Sequence, residues 1–184
     1  MPISLVSSGG TSDWVANSDN TISNNDMFNF TGWGVGVGSG SKSWSITGNT
    51  IYQTAARTTQ LEGISFSGLG SNTIRGNIVR DMTTSVDAFG IDIPGQAGNT
   101  IIAGNRIWNL GNRSGAISRI RGINFAPSAS QSVTVANNMI VLSSSGATNQ
   151  NLSGIHNLGA AGSTTVTAFN SVLITGTGSG GRDT

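Results

Sequence analysis

Short apolar runs recur along this chain at intervals of 24 to 33 residues, and each contains an asparagine at the same place. NTIRGNIV at 72–79 and SITGNTIY at 45–52 are two examples. An isoleucine, valine or threonine stands three residues before the asparagine, and a second apolar residue stands two after it. Alternation over such short, β-branched runs predicts strands rather than helices. The shared asparagines are Asn25, Asn49, Asn77, Asn105, Asn138 and Asn170.

A second motif stands about half a period away from the first. A glycine opens the stretches GISF, GIDI, GINF and GIHN, and GVGV is a weaker copy. The distance from this glycine to the next shared asparagine is 14 to 16 residues, whereas the return distance ranges from 9 to 17. One side of each repeat is therefore rigid, and the other holds the loops. The motif glycines are Gly34, Gly63, Gly90, Gly122 and Gly154.

The fixed repeat predicts an all-β solenoid. A unit of this length cannot bury its own apolar face, so units stack, and several short strands per unit give a parallel β-helix. We expect about six coils, lying about 4.8 Å apart. The asparagines are expected to form a hydrogen-bonded ladder along one corner. We also expect each of them to adopt the left-handed backbone conformation that the corner needs.

With this ladder between the second and third strands and a GI-x-F/I strand opening each coil, the chain resembles the right-handed parallel β-helices of the pectate-lyase-like superfamily. The resemblance spans about residues 20–174. It implies the fold rather than an activity, because the superfamily includes lyases, hydrolases, esterases, phage tail spikes, adhesins and passive stalks. Residues 133–181 are similar to β-helical repeat regions of secreted Bacteroidota-type surface proteins. That similarity implies an extracellular or cell-surface location.

The same pattern predicts one domain over residues 1–184. Residues 1–19 read as a partial or atypical first coil, and residues 175–184 as a glycine-rich end without a cap. Solenoids normally protect their ends with capping repeats. We therefore expect a fragment of a larger chain whose flanking domains are missing. The start lacks a basic and then apolar signal pattern, so we expect any export signal to lie outside this chain.

Composition narrows the class of function. Charged residues make up only 9% of the chain and the net charge is +1, so we expect no nucleic-acid partner. With no cysteine, disulfides and thiolate metal sites are excluded. The run of about 18 apolar residues that a membrane span needs does not occur. Phosphate-binding loops, dinucleotide fingerprints and zinc-ligand spacings do not occur either, so we expect no cofactor.

Polar residues of the first strand predict one outer wall. If the isoleucine after each motif glycine points inward, the residue after it points outward, and we place the residue before the glycine on the same wall. The two stripes are Gly36, Ser65, Asp92, Asn124 and His156, and Trp33, Glu62, Phe89, Arg121 and Ser153. The candidate catalytic residues on this wall are Glu62, Asp92, Arg121 and His156.

These residue types suit cleavage of a polysaccharide. A lyase needs a cation or an arginine to neutralise a uronate carboxylate and a base to remove the C5 proton, whereas a hydrolase needs two carboxylic groups. Glu62 and Asp92 would form such a pair, and Asp81 or Asp87 would join Asp92 around Ca²⁺. The alternative is a solvated strand face on which His156 is a hydrogen-bonded surface histidine.

A third stripe lies three residues after each ladder asparagine. Exposed rings and a guanidinium there would contact a glycan, unless the variable loops cover them or the strand bends one residue early and buries them. Arg119 and Arg121 stand at the edge of the longest return loop, from 114 to 122, which favours an acidic glycan. The candidate glycan-binding residues are Phe28, Tyr52, Arg80, Trp108, Asn124 and Arg119.

Two functions remain open. The first is a non-catalytic extracellular repeat segment, serving as a stalk or as a module that binds glycans or surfaces, as adhesins do. The second is a polysaccharide lyase or glycoside hydrolase acting along the first strand. Convergence of three or more side chains in one cleft would favour the enzyme, and dispersal over separate faces would favour the scaffold. The side chains in question are Glu62, Asp81, Asp87, Asp92, Arg121 and His156.

Overall fold

The computed structural model describes residues 3–5, 18–95, 97–112, 118–143 and 150–175, and within them it is a parallel β-helix of three six-stranded sheets. Numbered in chain order, the first sheet contains β1 (Ile3–Leu5), β4 (Gly32–Lys42), β7 (Leu61–Leu69), β10 (Ala88–Ile93), β13 (Ser118–Phe125) and β16 (Gln150–Asn157). The second contains β2 (Thr21–Ser23), β5 (Ser45–Thr47), β8 (Ser71–Arg75), β11 (Asn99–Ala103), β14 (Ser132–Ala136) and β17 (Thr164–Ala168). The third contains β3 (Asp26–Phe28), β6 (Thr50–Tyr52), β9 (Ile78–Thr84), β12 (Arg106–Asn112), β15 (Met139–Ser143) and β18 (Ser171–Thr175).

The repeat columns of the sequence form the core. Each coil contributes one strand to each sheet, and matching columns pair directly, as Ile74 pairs with Ile46 and Ile102. The column three residues before the ladder asparagine and the column two after it are buried in every coil from the first to the fifth. In the last described coil Val172 is 45% exposed. The predicted all-β solenoid is confirmed.

The asparagine ladder runs along the corner between the second and third sheets. Each side-chain amide donates to the side-chain oxygen of the asparagine in the next coil, at 2.9 to 3.1 Å. From the second coil onward it also donates to a backbone carbonyl of the preceding coil, as Asn105 does to Ile74. Four of the asparagines are at most 1% exposed. Both polar atoms of a buried ladder asparagine such as Asn105 therefore have hydrogen-bond partners.

The corner places its left-handed residue one position earlier than predicted. The ladder asparagines do not have a positive φ; the residue before each of them does, with φ between 56° and 66°. This residue carries the turn from the second sheet to the third, and the following asparagine points inward. Glycine relieves the steric cost at three corners, and asparagine tolerates it at two. The residues are Asn24, Gly48, Gly76, Gly104, Asn137 and Phe169.

The motif glycines mark a bend within the strands of the first sheet. The pairing of residues continues on both sides of each glycine but passes over the glycine itself. A Cβ on Gly122 would lie 2.5 Å from Ile140 Cγ2 and 2.6 Å from the carbonyl oxygen of Gly154. Glycine is thus required by close approach of the third sheet and the next coil. Across Gly122, the outward residues Arg121 and Asn124 approach each other to hydrogen-bond distance, 2.7 Å.

The predictions about the two ends fall largely outside the described residues. Residues 6–17 and 176–184 are not described, so the atypical first coil and the uncapped end stay predictions, except that Ile3–Leu5 pairs with β4 in the first sheet. Among the described residues, none belongs to a helix with the length and apolar character that crossing a membrane requires.

Candidate functional site

The outer side of the bend in the first sheet gathers polar side chains from four neighbouring coils. We call this set the acid–base cluster, and it consists of Glu62, Asp92, Arg121, Asn124 and His156. The first four are only 5% to 8% exposed, and His156 is half-buried. The register pairs Asn124 with Asp92 on one side and with His156 on the other. Three adjacent strands therefore supply its centre, and Glu62 on β7 adds a second carboxylate.

Asn124 is the centre of the hydrogen bonding. Its side-chain Nδ2 donates to Asp92 Oδ1 at 2.6 Å. Its Oδ1 accepts from Arg121 Nη1 at 2.7 Å, across the glycine bend, and lies 3.0 Å from His156 Nδ1. One amide thus connects an acid, a base and a permanent cation.

These contacts determine the proton positions on His156. An arginine can only donate, so the atom of Asn124 that faces Arg121 must be its oxygen. That oxygen can only accept a hydrogen bond. His156 Nδ1 must therefore carry a hydrogen, which it donates to Asn124 Oδ1. In the neutral ring the lone pair is then on Nε2. His156 can accept a proton only at Nε2.

Two guanidinium groups lie close to the ring of Phe89 at the same face. The guanidinium carbon of Arg119 lies 5.6 Å from the centroid of this ring, and that of Arg121 lies 5.8 Å from it. Arg119 is neutralised by Asp87, whose carboxylate accepts hydrogen bonds from Arg119 Nε at 2.8 Å and from the backbone N–H of Arg119 at 2.7 Å. Both arginines lie in β13 rather than in the loop predicted over 114–122, of which residues 114–117 lie outside the described residues.

Burial governs the titration of the acid in the cluster. Burial raises the pKa of Asp92 from its ordinary value of 3.8 to about 6. The hydrogen bond from Asn124 opposes this rise, and the negative charge of Glu62 adds to it. A carboxyl group with this pKa is partly protonated in mildly acidic solution, which is the condition for a general acid.

The pKa values of the two basic groups, His156 and Arg121, are lowered. Burial lowers the pKa of His156 below its ordinary value, and the charges of Arg121 and Arg119 lower it further. His156 is therefore neutral at pH 7. Burial, followed by the charge of Arg119, lowers the pKa of Arg121, which remains protonated as arginines do in proteins.

Asp92→Asn should stabilise the fold at neutral pH. Because its pKa is raised from 3.8 to about 6, folded Asp92 keeps its proton where the unfolded chain has lost it. The free energy of unfolding therefore falls by up to about 3 kcal/mol between about pH 4 and pH 6 and stays low above. The variant should match the native chain near pH 4 and exceed it by about 2–3 kcal/mol near pH 8.

Urea denaturation of both chains at the two pH values measures this difference. Both chains contain His156, so its titration cancels in the comparison. A stability difference that does not grow between the acidic and the basic measurement would show that Asp92 has no raised pKa.

The predicted glycan-binding stripe lies on a different face, the outer side of the third sheet. The rings of Phe28 and Tyr52 stack with centroids 5.4 Å apart and an angle of 22° between them. Arg80 lies 4.4 Å from the centroid of the Tyr52 ring. Since these neighbours belong to the coils before and after it, both faces of Tyr52 are covered. With half-buried Trp108 beside them, the geometry favours stacking between coils, and a glycan contact here stays a prediction.

The three aspartates considered for Ca²⁺ lie at separate places. Asp81 is on the third sheet, where it pairs with Arg80 and accepts from Asn109 at 2.6 Å. Asp87 is occupied by Arg119, and Asp92 belongs to the acid–base cluster. Within the described ranges, no three histidine, aspartate or glutamate side chains could hold a metal ion together.

Two contacts of the cluster were not predicted from the sequence. Gln60 donates to Glu62 Oε1 at 2.6 Å, and no pattern in the sequence indicates this contact. The second is the central position of Asn124, which the sequence indicates only as a glycan contact. A signal for it existed, because Asn124 stands between Asp92 and His156 in the predicted stripe.

Comparison of the chain with protein-family models, curated proteins and solved structures finds no match. The assignment of the parallel β-helix therefore rests on this structure and not on a relative. The relationship to the pectate-lyase-like superfamily and to Bacteroidota-type surface proteins stays a prediction from sequence resemblance.

Proposed function

We propose that this chain is an extracellular polysaccharide-active β-helix, which binds a glycan across the first sheet and cleaves it at the acid–base cluster. One observation supports the proposal above the others: Glu62, Asp92, Arg121 and His156 come from four consecutive coils and meet on one face. The shared face, in contrast to dispersal over separate faces, supports the enzyme over the scaffold. Two of the candidates lie outside the cluster: Asp81 is on the third sheet and Asp87 is paired with Arg119.

The cluster offers groups for two kinds of cleavage. In hydrolysis, Asp92 would protonate the departing glycosidic oxygen while Glu62 acts as base or nucleophile. In elimination, Arg121 would neutralise a uronate carboxylate and His156 would remove the neighbouring C5 proton through Nε2. Asp92 would then protonate the leaving oxygen as the C4–O bond breaks and the C4–C5 double bond forms. The raised pKa of Asp92, about 6, suits the acid role in both routes.

A binding module without cleavage is the second candidate. Asp92, Asn124 and Arg121 satisfy much of their hydrogen-bonding capacity with each other. A network of this kind stiffens a strand face and needs no reaction to explain it. In that case the same face would hold a glycan without breaking it.

Incubation with a panel of insoluble acidic and neutral polysaccharides, with and without Ca²⁺, tests both candidates. We expect the chain to be retained on at least one glycan and to release new chain ends from it. Unsaturated ends indicate elimination, and reducing ends without unsaturation indicate hydrolysis. In Asp92→Asn the release should fall by about 100-fold or more.

Asp26→Asn is the matched control, because Asp26 is exposed on β3 and far from the cluster in the fold. Its release of chain ends should equal that of the native chain. Retention without any new ends would favour the binding module. If no glycan of the panel is retained or cut, both candidates fail, and a stalk remains.

A further inference from the structure

Arg121 is a buried cation whose charge no described side chain neutralises. Its side chain is only 8% exposed. Nη1 donates to the neutral amide of Asn124, and Nε is buried without a hydrogen-bond partner. Among the described residues, the ion pairs are formed by other arginines. A buried charge is costly unless it is paired and hydrogen-bonded, so Arg121 is prepared for an anion that is not part of the described chain.

The surroundings of Arg121 strengthen its attraction for an anion. Phe89 lies under its guanidinium group, and Arg119 lies over the same ring. The apolar ring and the burial keep water away, which weakens the screening of charge. Arg119 is already neutralised by Asp87. Of the described arginines at this face, Arg121 is therefore the one that no carboxylate pairs with.

Asp92 acts on Arg121 through its charge. Asn124 joins the two groups, since it donates to Asp92 and accepts from Arg121. An ionised Asp92 repels an incoming anion and offsets part of the charge on Arg121, whereas a protonated Asp92 does neither. The amide can hydrogen-bond to Asp92 in both states, so the change is one of charge and not of structure.

We propose that Arg121 binds an anionic oxygen group, a carboxylate or sulfate of an acidic polysaccharide, and that the proton on Asp92 controls its affinity. This inference rests on the proposed function in one respect, that the anion belongs to a glycan. Affinity for the anion should be roughly tenfold higher near pH 5 than near pH 8, as expected for one charge removed a few ångströms away. The site would thus select acidic glycans and hold them best in acidic surroundings.

Other charged groups also face Asp92, and they define the controls. His156 is the histidine among them, so one arm of the experiment replaces it with glutamine. The carboxylates are not replaced, because they would change the fixed charge of the site. The facing groups are Glu62 from β7, Arg119 and Arg121 from β13, and His156 from β16, while Asp87 acts on Arg121.

The experiment titrates the chain with inorganic sulfate in a calorimeter, at constant ionic strength, near pH 5 and near pH 8. Sulfate keeps its charge throughout this range, so any pH dependence belongs to the protein. We expect the tenfold difference in the native chain and in His156→Gln. Arg121→Gln should lose the binding, and Asp92→Asn should bind equally well at both pH values.

Arg75→Gln is the control for net charge, because Arg75 is exposed on β8 of the second sheet. It should bind sulfate as the native chain does. Equal binding by Arg121→Gln and Arg75→Gln would overturn the anion site. A pH dependence that persists in Asp92→Asn would overturn the proton control. Circular dichroism of each variant shows whether it is folded, and a variant that is not folded is replaced by Arg121→Met or Asp92→Ser.

Retention on immobilised dextran sulfate against dextran then tests the link to the proposed function. These polymers share a backbone and differ in the anionic group. Sulfate binding without retention or cleavage of any polysaccharide would leave the anion site standing and remove the proposed function. Retention or cleavage of neutral glycans without sulfate binding would support the proposed function and remove the anion site.

Discussion

Replacing Asn105 with leucine is expected to lower the free energy of unfolding by about 3–6 kcal/mol. Its side-chain oxygen accepts from both the backbone and the side-chain nitrogen of Asn77, and its Nδ2 donates to Ile74 O and Asn138 Oδ1. Leucine has a similar shape but no polar atom, so these buried partners lose a hydrogen bond. An unsatisfied buried group costs about 1–3 kcal/mol.

Chemical denaturation measures the loss, and Asn99→Leu is the matched control. Asn99 is exposed on β11 and accepts a single hydrogen bond, from Ser132 Oγ at 3.0 Å. Its replacement should change stability by less than about 1 kcal/mol. Equal losses in the two variants would mean that the ladder does not stabilise the fold.

Gly122→Ala is expected to cost about 3 kcal/mol or more, the upper part of the range for overpacking. The added methyl would lie 2.5 Å from Ile140 Cγ2 and 2.6 Å from the backbone oxygen of Gly154. A backbone atom cannot rotate away as a side chain can. The strain would push β16 away from β13, so sulfate binding should weaken together with stability.

Substitutions at two other glycines distinguish close packing from a positive φ as the cause of the loss of stability. Gly111→Ala meets no atom within 4 Å and has no positive φ, so thermal unfolding should show no loss. Gly104→Ala also meets open space but has φ +65°, and should cost about 1–2 kcal/mol. If Gly122→Ala melted no lower than Gly104→Ala, close packing at the bend would not be the reason for the motif glycine.

The repeating parts of the molecule were predictable from the sequence. The ladder asparagine, the apolar columns and the motif glycine recur because each coil makes the same contacts with the next, and a shared contact leaves a shared residue. The left-handed residue was predicted one position too late, at Asn49 rather than Gly48. Both residue types tolerate this backbone conformation, so composition alone could not choose between them.

The candidate site was predictable only as a set of positions. Alternation indicated that Asp92, Arg121 and His156 share one face, but the sequence suggested a solvated strand, whereas Asp92 is buried. Nor did it show that both faces of Tyr52 are covered. The sequence by itself determined the coil, because identical contacts repeat in register from unit to unit. The tertiary structure alone decided the partners, burial and charge of the outer face, because each coil contributes a different residue there and the bend brings non-repeating side chains together.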